Sequence, residues 1–448
     1  MKIKVLETDY ANKRFWEERT DIQDGADMMR VVNIYPERCY QEIKGFGGAF
    51  TEASGYNLKR LPEQVQEEII QAYFGEDGLK YNLCRTHINS CDFALGNYAY
   101  VEDAADTQFQ SFSIERDREY IIPMIQRAVL ASGEEITMLA SPWSPPAFMK
   151  TNGEMNHGGK LKQEYYLSWA KYLARYVKEY AAAGIKISMI TVQNEPMAVQ
   201  TWDSCIYEAE EEKLFVRDYL GPIFKEEGLS EVKILIWDHN KEILFDRAKG
   251  VLEDKEASEY VSGVAFHWYS GDHFESIELV HEAYPDKELY FTEGCVEYSR
   301  FGDSSEVAKA EMYAHDILGN LRAGTNGYMD WNLLLDELGG PNHVKNYCAA
   351  PIMCDTVNGT MEKRLSYYYI GQFSRYIKKG ARRVASTRFT DKVETAAFRN
   401  PDGELAAVLL NRTAEDIWMS LRVVLEDGSE VKNSLLLKAH SICTAIWN

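Results

Sequence analysis

The sequence is short of several features at once, and each gap narrows what the chain can be. No stretch approaches 18 uninterrupted apolar residues, so no membrane-spanning helix is expected. The opening segment, MKIKVLETDY, lacks the apolar h-region of a secretory signal, and the chain as given reads as cytoplasmic. None of the eight cysteines forms a CxxC pair or joins histidines at zinc-ligand spacing, and 448 residues supply enough core without a disulfide framework. Cys84, Cys91, Cys295 and Cys443 sit in or beside apolar strand-like runs, so reduced thiols are expected. There is no GxGxxG or Walker loop, no solenoid repeat and no low-complexity tract. No HxH pair follows the first strand-like run, so neither a metal nor a cofactor is expected. Positive charge is also scarce. With 49 Lys and Arg against 70 Asp and Glu, the net charge of −21 repels nucleic acid and anionic lipid, and a neutral substrate fits better.

What is present is ordinary globular composition, 45% hydrophobic and 27% charged, with enough apolar mass for a large core. The middle of the chain repeats one pattern eight times: a short β-rich run ending in polar or aromatic residues, then an amphipathic stretch. The runs are Ile43 to Thr51, Asn82 to Asn89, Ile136 to Trp143, Ile187 to Glu195, Val232 to His239, Val261 to Tyr269, Glu288 to Glu293 and Gly327 to Asn332. Between them, Gln163 to Ala183 places Leu167, Ala170, Ala174 and Val177 on one predicted helical face, with Gly184 as a stop. Pro62 to Phe74 shows a similar stripe through Val65, Ile69 and Tyr73.

Strands alternating with helices imply parallel pairing, and eight units favour closure into an α/β (β/α)8 TIM barrel over an open sheet. The run Gly45-Phe46-Gly47-Gly48 lies inside a strand-like segment, with no helix start expected directly behind it to make a phosphate cradle. Beyond the barrel, Ala396 to Asn411 alternates around Asn400-Pro401-Asp402-Gly403, a hairpin signal, and Ile417 to Leu425 and Ser434 to Trp447 add strands. The first 40 or so residues are also β-like. The expected organisation is therefore a catalytic barrel over 41–375 and a C-terminal β-sandwich over 376–448, with strands from 1–40 joining the sandwich.

In such a barrel, functional side chains gather at the C-terminal strand ends. These ends carry Arg85 and His87, Trp143, Asn194 and Glu195, Asp238 and His239, His267 and Tyr269, Glu293, then Trp331 and Asn332. Glu195 and Glu293 close apolar strands four and seven. One such glutamate alone is more often salt-bridged or loop-exposed, but two at one barrel mouth point to chemistry. Cleavage of a glycoside with retention needs one proton donor and one ionised nucleophile, about 5–5.5 Å apart. Like charges at that range push one pKa up, and that group becomes the acid. Glu195 is the expected acid/base and Glu293 the nucleophile. Trp143, Trp202, Trp268, Tyr269 and Trp331 offer faces for sugar stacking, although any one alone is more often plain packing. Arg85, Asp92, Asn194, His267 and Asn342 offer partners for sugar hydroxyls, and His87 or His239 alone reads as a structural histidine.

At Asn194-Glu195-Pro196 the sequence resembles the large clan of (β/α)8 glycosidases whose acid/base follows an asparagine. Other segments narrow the resemblance: GFGGAFTE from Gly45, SCDF from Ser90, ASPWSPP from Ala140 with KTNG from Lys150, FHWY from Phe266, EGC from Glu293, DWNL from Asp330 and GGPN from Gly339. Together, across nearly the whole chain, they resemble glycoside hydrolase family 30, most closely its glucosylceramidase branch. The resemblance implies retention, a barrel with an attached β-sandwich, and the glutamate roles given above. It implies that Arg85, Asp92, Trp143, Asn194, Trp331 and Asn342 line the subsite for a β-glucosyl unit. It further implies that Asn194 bonds the 2-hydroxyl, and that His267 and Tyr269 support the nucleophile. His343 departs from the Trp that lysosomal members carry after their Gly-Pro-Asn, and the missing signal looks more like bacterial relatives.

The expected activity is hydrolysis of a small-molecule, oligosaccharide or glycolipid β-glucoside. Alternatives within the family are a β-xylosidase or a β-1,6-glucanase. The alternative from another class is an inactive carbohydrate-binding barrel, whose signature would be loss of one glutamate.

Overall fold

A computed structural model describes residues 2–448. Eight parallel strands close into a barrel: Gly45–Phe50, Leu83–Ile88, Thr137–Pro142, Ile187–Thr191, Lys233–Asn240, Val261–His267, Glu288–Glu293 and Gly327–Asn332. Each matches one of the eight predicted runs. The barrel interior is filled by one side chain from each of seven strands: Leu83, Leu139, Met189, Leu235, Ala265, Tyr290 and Met329. It is a packed core, so substrate access is confined to the strand ends.

Two local expectations are corrected. A helix, Glu52–Arg60, does begin directly behind the glycine-rich first strand, and the Thr51 hydroxyl caps it by accepting from Ser54 N–H. The glycines serve close packing. A Cβ on Gly47 would lie 1.6 Å from the Leu83 carbonyl oxygen, and one on Gly48 would lie 2.1 Å from Asp330 Oδ1. Leu167 is 46% exposed rather than part of the buried stripe. In helix Tyr166–Ala182 the buried face centres on Trp169, Leu173, Tyr176 and Tyr180, and Leu167 lies about 200° round the helix from Trp169. Ala170, Ala174 and Val177 are buried as expected.

The sandwich is one continuous ten-stranded ladder. The hairpin Val393–Arg399 and Leu405–Asn411 forms around the predicted turn. Strand Ile3–Asp9 pairs antiparallel along the whole of the last strand, Ser441–Trp447. Strand Val31–Glu42 joins Arg382–Ser386 on one side to Ile417–Val424 on the other. Val5, Val32 and Ile34 accordingly share a core with Leu409, Leu421, Leu435 and Trp447. The N-terminal strands are integral to this layer because they fill its centre and cover the edge of the last strand. Helix Leu365–Ser374 fastens the barrel to it: Gln372 Nε2 donates to Thr8 Oγ1 (3.0 Å), and Thr444 Oγ1 donates to the Gln372 carbonyl (2.7 Å). All eight cysteines are free thiols, seven of them buried. Among the described residues, no helix is long and apolar enough to cross a membrane.

Candidate active site

The site is built on barrel strands two, four, five, six and seven. Strand four stops at Thr191, and the backbone then turns so that Glu195 adopts φ 47°, outside the usual range for a residue with a side chain. The turn is held by Asn194 N–H donating to Pro142 O (2.8 Å) and Glu195 N–H donating to Asp238 O (2.9 Å). Strand five carries a bulge at the same level. Trp237 and Asp238 have φ of 74° and 55°, and the register against strand six skips Asp238. The bulge turns the Asp238 carboxylate inward and leaves His239 beside Glu195.

Carboxylate oxygens of Glu195 and Glu293 lie within 4.8 Å of each other, as do both with a ring nitrogen of His267. Three acidic and basic groups so placed could hold a metal ion. Here, however, the positive charge is already supplied by side chains. Arg85 is fully buried and donates all round: Nη1 to Glu293 Oε2 (2.6 Å) and Thr292 O (3.3 Å), Nη2 to Asn194 Oδ1 (2.8 Å) and Asp238 Oδ2 (2.8 Å), and Nε to Ser141 Oγ (3.1 Å). Tyr269 donates its hydroxyl to Glu293 Oε1 (3.0 Å). Asp238 is enclosed by four partners: Arg85, Thr191 Oγ1 (2.6 Å), Thr292 Oγ1 (2.6 Å) and His267 Nε2 (3.0 Å). Burial would raise the Asp238 carboxyl, but Arg85 and His267 hold it well below the usual range, so it is a fixed anion.

The proton that matters is therefore the one on the other side of His267. Nε2 donates to Asp238, so Nδ1 faces Glu195 Oε1 at 3.1 Å. Burial alone would depress the imidazole. Attraction to Glu293, with hydrogen bonds to Asp238 and Glu195, instead holds it up to about 9. Glu195 is pushed up by burial but ends below its ordinary value, because His239 and His267 face it. Glu293 is raised, first by burial and then by Glu195 and Asp238, with His267 and Arg85 opposing. His267 Nδ1 and Glu195 Oε1 stand close enough to pass a proton between them.

A cavity of about 270 Å³ opens above these groups. Asp92, Trp143, Asn194, Glu195, Tyr269, Glu293 and Trp331 all line it, as does Trp202. Trp143 and Trp331 stack on each other (centroids 5.1 Å apart), with the Arg85 guanidinium 4.7 Å from the Trp143 ring. The Asp92 carboxyl is raised well above its usual value by burial and by Glu293. Four sequence-based placements change. Arg85 and His267 lie beneath the floor with their polar atoms committed to protein, so they organise the carboxylates rather than meet a ligand. Asn342 is also committed: its Oδ1 accepts from the backbone N–H of Val344 and Asn346, and its Nδ2 donates to Asp92 Oδ2 (3.1 Å). Asn346, four residues on, lines the cavity instead. Trp268 packs on Tyr313 (4.9 Å) and lines a neighbouring cavity rather than this one. His87 is structural, accepting at Nε2 from Glu52 N–H and bonding the Asn89 carbonyl through Nδ1.

Sequence reasoning passed over Asn346, Asn240, Gln200, Cys295 and Cys348 in the wall, and the part played by Asp238. Asp238 had a signal, a carboxylate at the end of apolar strand five. Asn240 ends the same strand, Cys348 lies in the two-residue strand Cys348–Ala349, and Gln200, Cys295 and Asn346 lie in loops without periodicity.

Comparison with known proteins agrees with this geometry. Residues 43–377 match the Glycosyl hydrolase family 30 TIM-barrel domain and residues 380–445 its beta sandwich domain. The lysosomal acid glucosylceramidase of Mus musculus is 34% identical over 409 residues, covering 87% of this chain and 79% of that one. The crystal structure of SrfJ from Salmonella typhimurium superposes with a TM-score of 0.95 at 40% identity, covering all of both chains. That of the endo-beta1,6-glucanase BT3312 gives a TM-score of 0.89 at 27% identity, covering 99% of each. The chain is a glycoside hydrolase, a member of glycosyl hydrolase family 30.

Proposed function

We propose that the chain is a retaining β-glucosidase acting through a covalent glycosyl-enzyme, with Glu293 as nucleophile and Glu195 as acid/base. The observation that carries this is the approach of the two carboxylates to within 4.8 Å, oxygen to oxygen. Retaining pairs stand about 5–5.5 Å apart, whereas inverting pairs need about 6.5–9.5 Å to admit a water. Arg85 and Tyr269 both donate to Glu293, which suits an anion poised to attack.

In the first step Glu293 bonds to the anomeric carbon while the bond to the leaving oxygen breaks, and Glu195, 3.1 Å from His267 Nδ1, passes a proton to that oxygen. In the second step Glu195, as carboxylate, takes a proton from the attacking water while the ester to Glu293 breaks.

A cavity of about 270 Å³ is at the small end for ligand pockets and suits one sugar ring. Trp143 and Trp331 offer an apolar wall, and Asp92, Asn194 and Asn346 offer partners for hydroxyls. Glucose as the sugar is supported by similarity to proteins named for glucosylceramide and for β-1,6-glucan. A glucolipid and a gluco-oligosaccharide are both within this reading. Labelling with a 2-fluoro-β-glucosyl inhibitor, followed by peptide mapping, tests it directly. The label is expected on Glu293. Attachment elsewhere, or equal labelling by a 2-fluoro-xylosyl analogue, would overturn the nucleophile or the sugar respectively.

A further inference from the structure

A second cavity, of about 370 Å³, adjoins the first, and Tyr269 and Arg300 stand in the walls of both. Its remaining walls come from two domains. Ser270 and Asp272 follow barrel strand six, His315 lies on helix Glu306–Ala323, and Arg412 comes from the sandwich. His315 clamps the domains together, with Nδ1 2.6 Å from Glu394 Oε2 and Nε2 3.0 Å from Asp272 Oδ2. Burial would lower this imidazole, but the bonds to Glu394 and Asp272 hold it above its usual range. Glu394, on the sandwich, in turn accepts from Arg412 Nε (2.6 Å). Among the described residues, Arg412 commits only Nε to protein and Asp272 only Oδ2. Guanidinium donors of Arg412 and the second carboxylate oxygen of Asp272 thereby stand free at the open side of this space. Trp268, Phe301 and Met312 line the same space, so a sugar ring has an apolar wall for its face beside Arg412 and Asp272 for its hydroxyls.

The shared wall also has a side. Tyr269 N–H donates to Asn240 Oδ1 (3.0 Å), and the preceding His239 has Nε2 3.9 Å from Glu195 Oε1. The wall between the two cavities is thus tied to the strand-five end that stands beside Glu195.

We propose that the second cavity binds a sugar unit on the leaving-group side of the scissile bond, so that the sandwich takes part in choosing the substrate. This rests on the assignment of Glu195 and Glu293 given above, and it points to a β-linked gluco-oligosaccharide rather than a ceramide. The test compares an aryl β-glucoside with β-linked glucose disaccharides and trisaccharides on the wild-type chain, Arg412→Ala and Ser270→Trp. Arg412→Ala should lower kcat/KM on an oligosaccharide about tenfold, the scale of one lost charged hydrogen bond, and leave the aryl glucoside unchanged. Ser270→Trp, which fills the cavity from an exposed loop, should do the same more strongly, and it keeps the test open if Arg412→Ala unfolds. Unchanged oligosaccharide turnover in both variants, or a wild-type chain that cleaves no oligosaccharide, would overturn the proposal. Loss of aryl-glucoside activity in the wild type would instead sink the underlying glycosidase reading.

Discussion

The barrel mouth and the sandwich interior are buried to a similar degree and built from opposite materials. The sandwich core is aliphatic, with Val5, Val32, Leu409, Leu421 and Leu435 at or near zero exposure. Below the barrel mouth lie Arg85, Asp238 and His267, equally inaccessible, with Glu195 and Glu293 just above. Each aliphatic side chain contributes about 1.5–3 kcal/mol by leaving water. A buried ion loses several kcal/mol of hydration and recovers it only through partners. Arg85 and Asp238 have every partner they can use, and the two carboxylates meant for chemistry have fewer. A buried ionic cluster where aliphatic packing would be more stable is what a site selected for reactivity looks like.

Substitutions should separate the two regions, and the largest effect belongs to the mouth. Glu293→Gln is expected to lower kcat on an activated aryl β-glucoside by about 10⁵-fold, as for loss of a covalent nucleophile, with Tm nearly unchanged. Glu195→Gln should cost about 10²–10⁴-fold, and least where the leaving group needs no proton. Wild-type turnover in either variant would end the assignment.

Next come changes that strike stability. Arg85→Met strands Glu293 and Asp238 as unpaired buried anions and should cost about 3–5 kcal/mol in denaturant unfolding, with activity lost as well. Leu409→Ala in the sandwich should cost about 2–5 kcal/mol while kcat on the aryl glucoside holds. If Arg85→Met proved as stable as wild type, the ionic cluster would not be the tightly coupled unit described here.

The pH dependence of stability is smaller and has a definite sign. His267 rises from an ordinary 6.5 to about 9 on folding, so it binds its proton more tightly in the native state. Its contribution is therefore complete below about pH 6.5 and is lost as pH climbs through 9, by about 3 kcal/mol at most. Thermal melts should fall over that window in the wild type and flatten in His267→Gln. The smallest effect distinguishes neighbours in one loop. Asn346→Ala should raise KM by about fivefold with little change in Tm, whereas Asn342→Ala should lower Tm by removing the loop caps, each worth about 1 kcal/mol. The reverse pattern would restore Asn342 to the cavity wall.

Sequence reasoning found every barrel strand, both glutamates and the stacked pair Trp143 and Trp331. Each stands at the end of an apolar run whose length and punctuation are local properties. It misjudged Arg85, His267 and Asn342 by one layer. Whether a polar side chain meets a ligand or a neighbour depends on what stands opposite it, and Arg85 finds partners up to 208 residues away. The bulge at Asp238 was equally silent, since nothing in the residues of strand five announces φ of 55°.

The amino-acid order alone settled the number of barrel units, the hairpin at Asn400–Gly403 and which carboxylates end apolar strands. These follow from periodicity and turn chemistry acting over a few residues. Only the closed barrel decided which carboxylates meet which imidazole, because that depends on charges brought together from five strands in a medium too poor in water to screen them.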